Sequence, residues 1–189
     1  MSGSLRFAWQ PVLEGRSVRL RPFHEDDLDQ LWEMLCDEEG RRLTGTHATF
    51  TRGAAERWYR SRGRDTDRLD LAIADRGTDR CVGEVVLNNL DPDNRSCAFR
   101  ISLVGPSVYD RGYGTEATRL IVAHAFDTVG LHRVELEVYD LNPRARHVYE
   151  NLGFVQEGVF REALWWEGRF HDAIAMSMLA PEWERQVGR

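Results

Sequence analysis

The stretch Asp110-Arg111-Gly112-Tyr113-Gly114-Thr115-Glu116-Ala117 constrains the fold of this chain more than any other. Two glycines two apart open a run that reads as a helix. Such a turn lets backbone N–H groups at a helix N-terminus point outward together, where a phosphate fits with little steric obstruction. Gly112-x-Gly114-x-x-Ala117 also matches the dinucleotide-binding fingerprint letter for letter. Alone, that match is a weak signal. What the turn holds depends on the elements around it.

Upstream, Ser17-Val18-Arg19-Leu20-Arg21 reads as a strand stopped by Pro22. Asp26 and Asp27 begin a helix whose Leu28, Leu31, Trp32 and Leu35 recur at helical spacing, with Gly40 as its expected end. A loop over 44–50 leads to a second helix from about Thr51 to Gly63. Three strands are then predicted over 69–74, 81–87 and 96–104. They are joined by the turns Asp75-Arg76-Gly77-Thr78 and Asp91-Pro92-Asp93-Asn94. The glycine turn opens a helix to about Val129, on whose apolar face His124 reads as a core histidine. Val134, Leu136 and Val138 alternate with Glu135 and Glu137 as a half-buried strand. Asn142-Pro143 supplies an N-cap and an N1 proline for a helix carrying Ala145, Val148, Tyr149 and Leu152. The chain closes with a hairpin around Glu167-Gly168-Arg169.

Composition narrows the chemistry. With 189 residues, 42% hydrophobic and 30% charged, the chain reads as one soluble domain. We expect an N-terminal extension over 1–11, a single domain over 12–180 and a C-terminal tail over 181–189. No apolar run approaches the roughly 20 residues of a membrane helix, and the start lacks the apolar core of a signal peptide. The expectation is a cytoplasmic protein without a membrane partner. Every one of the 25 basic residues is Arg. A Schiff-base lysine and a Walker phosphate loop are therefore excluded. A net charge of −6 does not favour nucleic acid. Cys36, Cys81 and Cys97 lack metal-ligand spacing and read as buried thiols, so no metal is expected. Acids crowd 25–39 and arginines crowd 52–68. Two solvated helix faces are one reading. The other is an acidic wall that attracts a cationic amine, beside a basic region for phosphate.

A dinucleotide-binding domain needs parallel strands and crossover helices from the glycine motif onward. Here three hairpin-type strands precede the motif and a hairpin closes the chain. The order of elements instead resembles the GNAT superfamily of acetyl-CoA-dependent N-acetyltransferases, over about residues 12–180. Two pieces carry the likeness: Arg111-Gly112-Tyr113-Gly114-Thr115-Glu116-Ala117, and the helix from Asn142 to Phe154. The latter follows the superfamily pattern Asn-x-x-Ala/Ser-x-x-x-Tyr-x-x-x-Gly-Phe. Leu13 to Pro22 and the Gly-Tyr-Gly-Thr-Glu-Ala run are similar to the RimJ/RimL-like branch, which includes enzymes that acetylate N-termini of ribosomal proteins. The segment from Phe154 to Asp172 is also similar to spermidine N-acetyltransferases. Tyr109 departs from the pattern, since the superfamily usually has Gln or Arg three positions before the first motif glycine.

The resemblance implies an α+β fold in α/β/α layers. Its mixed, mostly antiparallel sheet has about seven strands and a splayed, V-shaped cleft, flanked by about four helices. It implies acetyl-CoA as donor, held by Arg111, Gly112, Tyr113, Gly114 and Thr115 at the pyrophosphate. Ile101, Ser102, Leu103, Asn142 and Ala145 would lie along the pantetheine arm. Tyr149 is the candidate general acid for the departing thiolate, although it also completes the apolar stripe of its helix. Glu84 is a candidate general base, with Glu135 and Glu137 as alternatives. The acceptor is expected to be a primary amine, with a protein or peptide N-terminus as first choice. A polyamine, an aminoglycoside-type antibiotic and a non-catalytic acyl-CoA-binding module remain open, as does a homodimer.

Overall fold

The computed structural model describes residues 5–7 and 9–188. Strands β1 (Leu13–Glu14), β2 (Val18–Arg21), β3 (Leu69–Asp75), β4 (Cys81–Asp91), β5 (Ser96–Leu103), β6 (Arg133–Tyr139), β7 (Val155–Trp166) and β8 (Arg169–Leu179) form one sheet. Their order is β1-β2-β3-β4-β5-β6-β8-β7. Every neighbouring pair is antiparallel except β5 and β6. Helices α1 (Leu28–Cys36), α2 (Glu38–Thr44), α3 (Arg52–Ser61), α4 (Tyr113–Ala123), α5 (Pro143–Asn151) and α6 (Ala180–Val187) flank it.

The period-two side-chain alternation of the strands builds two faces. Leu71, Ile73, Val85, Leu87 and Phe99 share a core with Ala117 and Ile121 of α4 and Tyr149 of α5. Ala72 and Cys81 face the other way, against Leu28, Leu31 and Met34 of α1 and Tyr59 of α3. Burying each large apolar side chain contributes about 1.5–3 kcal/mol. The sheet is thereby fixed between two helical layers. Beneath α1, the Arg21 guanidinium donates to both carboxylate oxygens of Asp27 at 2.7 and 2.9 Å, with both side chains out of solvent.

The eighth strand is β1, two residues long and paired through Leu13 and Leu20. It is too short to carry a sequence pattern. Six helices stand among the described residues where about four were expected. The helix predicted through Gly40 breaks at Asp37, whose backbone turns extended and whose carboxylate accepts from the Gly40 N–H at 2.6 Å. Asp37 thus caps a new helix, and Gly40 lies inside it. The stop falls at Gly45, in the left-handed region at φ 63°. Residues 181–189, read as a tail, include most of α6. Its Trp183 is buried, stacks on Phe126 and donates its indole N–H to Asp127 at 2.8 Å. Residue 189 lies outside the described residues, as do 1–4 and 8 of the expected extension. Phe7 of that extension is buried in the core. Cys81 and Cys97 are buried as expected, but Cys36 is exposed, because it falls on the outward face of α1. His124 is buried.

Candidate active site

Strands β5 and β6 pair only through Ser96–Arg133, Cys97–Val134 and Ala98–Glu135. Beyond that point β5 stays paired to β4 through Leu103, and β6 stays paired to β8 through Tyr139. The two strands therefore diverge, and the side of β5 turned toward the gap has no strand partner from Phe99 to Leu103. Helix α4 starts at one rim of this V and α5 at the other. A cleft of about 670 Å³ follows the gap.

Around the glycine turn the cleft is lined by Gly112, Gly114 and Thr115 and by Ile101, Ser102 and Leu103 of β5. Gly112 is the residue before α4 and sits at φ 78°, a left-handed conformation that glycine adopts without a Cβ penalty. A Cβ on Gly114 would meet only the Leu103 and Ile101 side-chain methyls, at 3.8 and 4.0 Å. Packing within the chain does not demand glycine there; the missing Cβ leaves the helix N-terminus open to an incoming group. Tyr113 lines the cleft with its neighbours, yet its ring is buried and its hydroxyl bonds to Asp75, so only its backbone is offered to a ligand. Arg111, expected at the pyrophosphate, does not line the cleft.

Asn142 caps α5 by accepting from the Ala145 N–H at 3.1 Å, and both residues line the cleft. Arg144 between them lines it too. Its guanidinium lies 4.1 Å from the Tyr109 ring centroid and 3.7 Å from Asp110. A cation thus stands at the position where Tyr109 departs from the family pattern. A helix start rich in free N–H groups, two glycines without side chains and a nearby Arg together fit a pyrophosphate. The unpaired edge of β5 fits an extended arm that adds to it as a strand does.

Tyr149 lies two turns after Asn142 and faces the same cleft. Phe99 and Phe154 pack edge-on against it at 6.1 and 5.9 Å. Burial alone pushes its phenol above the usual range and keeps the proton on. The ring thus belongs to the core, and the residue also borders the cleft.

Glu84 lines the far side, on β4. Its Oε2 is shut off from solvent without a hydrogen-bond partner. Burial, aided by the charge of Asp70, pushes the carboxyl up to about 7, against the opposing pull of Arg100, Tyr59 and Arg68. A carboxylate poised there exchanges its proton near neutral pH. Glu135 and Glu137 are exposed and do not line the cleft. Glu135 is bound to Arg133 at 3.0 Å. The two point away because the alternation that buries Val134, Leu136 and Val138 turns them outward.

The acidic wall does not form. Glu25 pairs with Arg60, Asp29 with Arg52, Glu39 with Arg42 and Asp27 with Arg21. No acid from 25–39 lines the cleft. The apolar stripe of α1 faces the sheet, so its acids turn outward, where α3 presents arginines to Glu25 and Asp29. Two ion pairs, Glu25–Arg60 and Asp29–Arg52, join the two charge runs.

Sequence reasoning missed much of the rest of the cleft lining. Phe50, Trp58, Tyr59, Arg68 and Arg100 all belong to it. Tyr59 and Trp58 were visible only as apolar positions on α3. Arg100 carries no local signature beyond its place in the β5 strand. The loop 46–50 is held by Arg41, which donates to the Thr46, His47 and Ala48 carbonyls, and by His47 stacked on Trp166 at 4.8 Å.

A splayed sheet, a glycine turn at a helix start and an Asn-to-Tyr helix across the gap define an acyl-CoA-type transferase site. Residues 17–155 match the model of the "Acetyltransferase (GNAT) domain". The chain belongs to the GNAT family of acetyltransferases, enzymes whose acetyl donor is acetyl-CoA. The Bacillus subtilis protein named "Putative ribosomal N-acetyltransferase YdaF" is 33% identical over 102 residues, which cover 54% of this chain and 55% of that one. A Vibrio cholerae spermidine N(1)-acetyltransferase is 32% identical over 98 residues, covering 52% and 56%. The chain thus spans little more than half the length of these two relatives. Over nearly its whole length, 96% against 84%, it resembles the crystal structure of a GCN5-related N-acetyltransferase from Brucella melitensis, with 28% identity and a TM-score of 0.77. Among the described residues no helix is long and apolar enough to cross a membrane, and no cluster of His, Cys, Asp and Glu could hold a metal ion.

Proposed function

We propose that this protein transfers an acetyl group from acetyl-CoA to a primary amine, by direct attack with both substrates bound, and that a protein or peptide N-terminus is the first class of acceptor to test. The observation that carries the proposal is the placement of Glu84 and Tyr149 on one cleft whose β5 edge is unpaired. Bound acetyl-CoA supplies an activated acyl group as a thioester. The turn Gly112–Thr115 holds its pyrophosphate through backbone N–H groups, with Arg144 as the neighbouring cation. Ile101, Ser102 and Leu103 bond the pantetheine arm along the open strand edge, and Asn142 and Ala145 border it from α5. A backbone N–H on this edge polarises the carbonyl that is attacked.

Glu84 accepts the proton that the acceptor ammonium must lose before its nitrogen can attack. With its carboxyl raised to about 7, it is ionised in a useful fraction near neutrality and is not so weak a base as an ordinary carboxylate. Tyr149 donates to the departing sulfur; its raised pKa keeps it in the donor form throughout the working range. The soft layer around it, Phe99 and Phe154, excludes water from that proton transfer.

The polyamine reading is supported by similarity to a spermidine N(1)-acetyltransferase. It draws no support from the acids at 25–39, none of which lines the cleft. The deciding experiment mixes the protein with acetyl-CoA and a panel of N-terminal peptides, polyamines and aminocyclitols. Free thiol is followed, and the product mass identifies the acetylated nitrogen. Thiol release that depends on an amine supports the proposal. Tight CoA binding with no release for any amine would leave only an acyl-CoA-binding module.

A further inference from the structure

The charges on the acceptor side are of the wrong sign for a polycation. Six charged residues line the cleft: Arg41, Arg68, Glu84, Arg100, Asp110 and Arg144. Asp110 and Arg144 face one another at the donor end. On the acceptor side Arg41, Arg68 and Arg100 stand against Glu84 alone. The charge of Arg68 is taken up by Asp70, a buried carboxylate 2.7 Å away. Arg41 is committed to the carbonyls of its loop. Arg100 is exposed and has no carboxylate within ion-pair distance among the described residues.

The position of Arg100 is set by register. Glu84 lies opposite Ser102 and Val86 lies opposite Arg100 across β4 and β5. Glu84 and Arg100 are therefore diagonal neighbours on one face of the sheet, roughly 7–8 Å apart with their Cβ atoms somewhat closer. That spacing suits a ligand that places a nitrogen at Glu84 and a negative group, a few bonds away, at Arg100. The surrounding wall is apolar or aromatic: Phe50 and Trp58 are 43% and 38% exposed, beside Met34, Leu35 and Ala54. The Arg62 and Arg68 guanidiniums lie 4.4 and 5.4 Å from the Trp58 ring, so that ring is already occupied by cations. A second ammonium along this wall finds no carboxylate, loses hydration and meets Arg68 or Arg100. An arginine next to an open cleft binds a carboxylate with two parallel hydrogen bonds.

Building on the acetyltransferase reading above, we infer that the acceptor is a monoamine carrying a carboxylate near its nitrogen and an apolar body, with Arg100 as the residue that reads the carboxylate. Two sources share that chemistry: a free amino acid, through its α-carboxylate, and a peptide whose first residue is acidic.

The test compares kcat/KM for matched acceptors with the purified full-length chain and acetyl-CoA. One arm uses phenylalanine, phenylalanine amide and phenethylamine. A second uses peptides beginning with Asp or Asn, and spermidine completes the set. We expect a carboxylate-bearing acceptor in at least one arm to exceed its uncharged partner and spermidine by about 10- to 100-fold, the range of a hydrogen bond to a charged group. The arm that shows the gap identifies the source. Arg100→Gln should abolish the gap and Arg100→Glu should favour spermidine, while the acetyl-CoA Kd measured by calorimetry stays the same in both. Amine-dependent turnover with no preference for the carboxylate, or a preference that survives Arg100→Gln, would overturn this inference alone. Absence of turnover with every amine would overturn the acetyltransferase reading together with it.

Discussion

Glu84 on β4 sits directly opposite Ser102 on β5, the strand along whose edge the sheet parts. This register puts a carboxyl of raised pKa beside the stretch of backbone proposed to bind the donor. The chemistry proposed for the cleft depends on that adjacency.

Glu84→Gln should lower kcat by about 10²–10⁴-fold while leaving the acetyl-CoA Kd unchanged. The sign of the pH dependence is fixed by its role: the base works when ionised, so wild-type activity should rise as pH passes upward through about 7. Steady-state rates from pH 5.5 to 9, with an acceptor that titrates well outside that window, check this. An unchanged acidic limb in the Gln variant would assign the proton transfer to another group.

The same substitution has an opposite effect on stability. A carboxyl whose pKa is raised by folding disfavours the native state above its unfolded value near 4.5, and the penalty is complete above about 7. Glu84→Gln removes that penalty. Its Tm at pH 8 should exceed that of wild type, and the difference should vanish toward pH 4. Thermal scans at the two pH values measure it.

Tyr149→Phe separates the two roles of that ring. The edge-on packing against Phe99 and Phe154 is retained, so Tm should stay within about 1 °C, as expected for a change below ~0.5 kcal/mol. Loss of the proton donor should reduce kcat by about 10²-fold or more. A fall in Tm without a fall in kcat would make Tyr149 a core residue only.

The two glycines of the turn should fail in different ways. Gly112→Ala places a Cβ on a left-handed residue, at a cost of about 1–2 kcal/mol visible in denaturant unfolding. Gly114→Ala adds a Cβ that makes only ordinary contacts within the chain and should cost little stability. It should instead weaken acetyl-CoA binding at least about tenfold, because the side chain occupies the approach to the helix N-terminus.

The elements with strong periodicity or punctuation were legible in the sequence. The Asn142-Pro143 cap, the meander turns and the glycine turn all fall where local chemistry placed them, since capping and turn residues act within a few positions. The split at Asp37 was not legible, because an aspartate inside an apolar stripe reads as surface until its carboxylate is seen on the Gly40 N–H. Pairing of the acidic and basic runs was equally hidden. Asp29 and Arg52, or Glu25 and Arg60, are 23 and 35 positions apart and meet only through the packing of α1 on α3. Arg100 and Trp58 could not be picked out for the same reason. A wall assembled from α3, β4 and β5 has no local signature, whereas a phosphate-binding turn does.

The divergence of β5 from β6 leaves a row of backbone groups whose partners must come from outside the chain, from water or from a ligand. Occupancy of the cleft is then coupled to the unfolding equilibrium by mass action. A saturating ligand at 100 times its Kd adds about 2.7 kcal/mol to the native state. A shortage of acetyl-CoA would therefore leave this protein idle and also more easily unfolded.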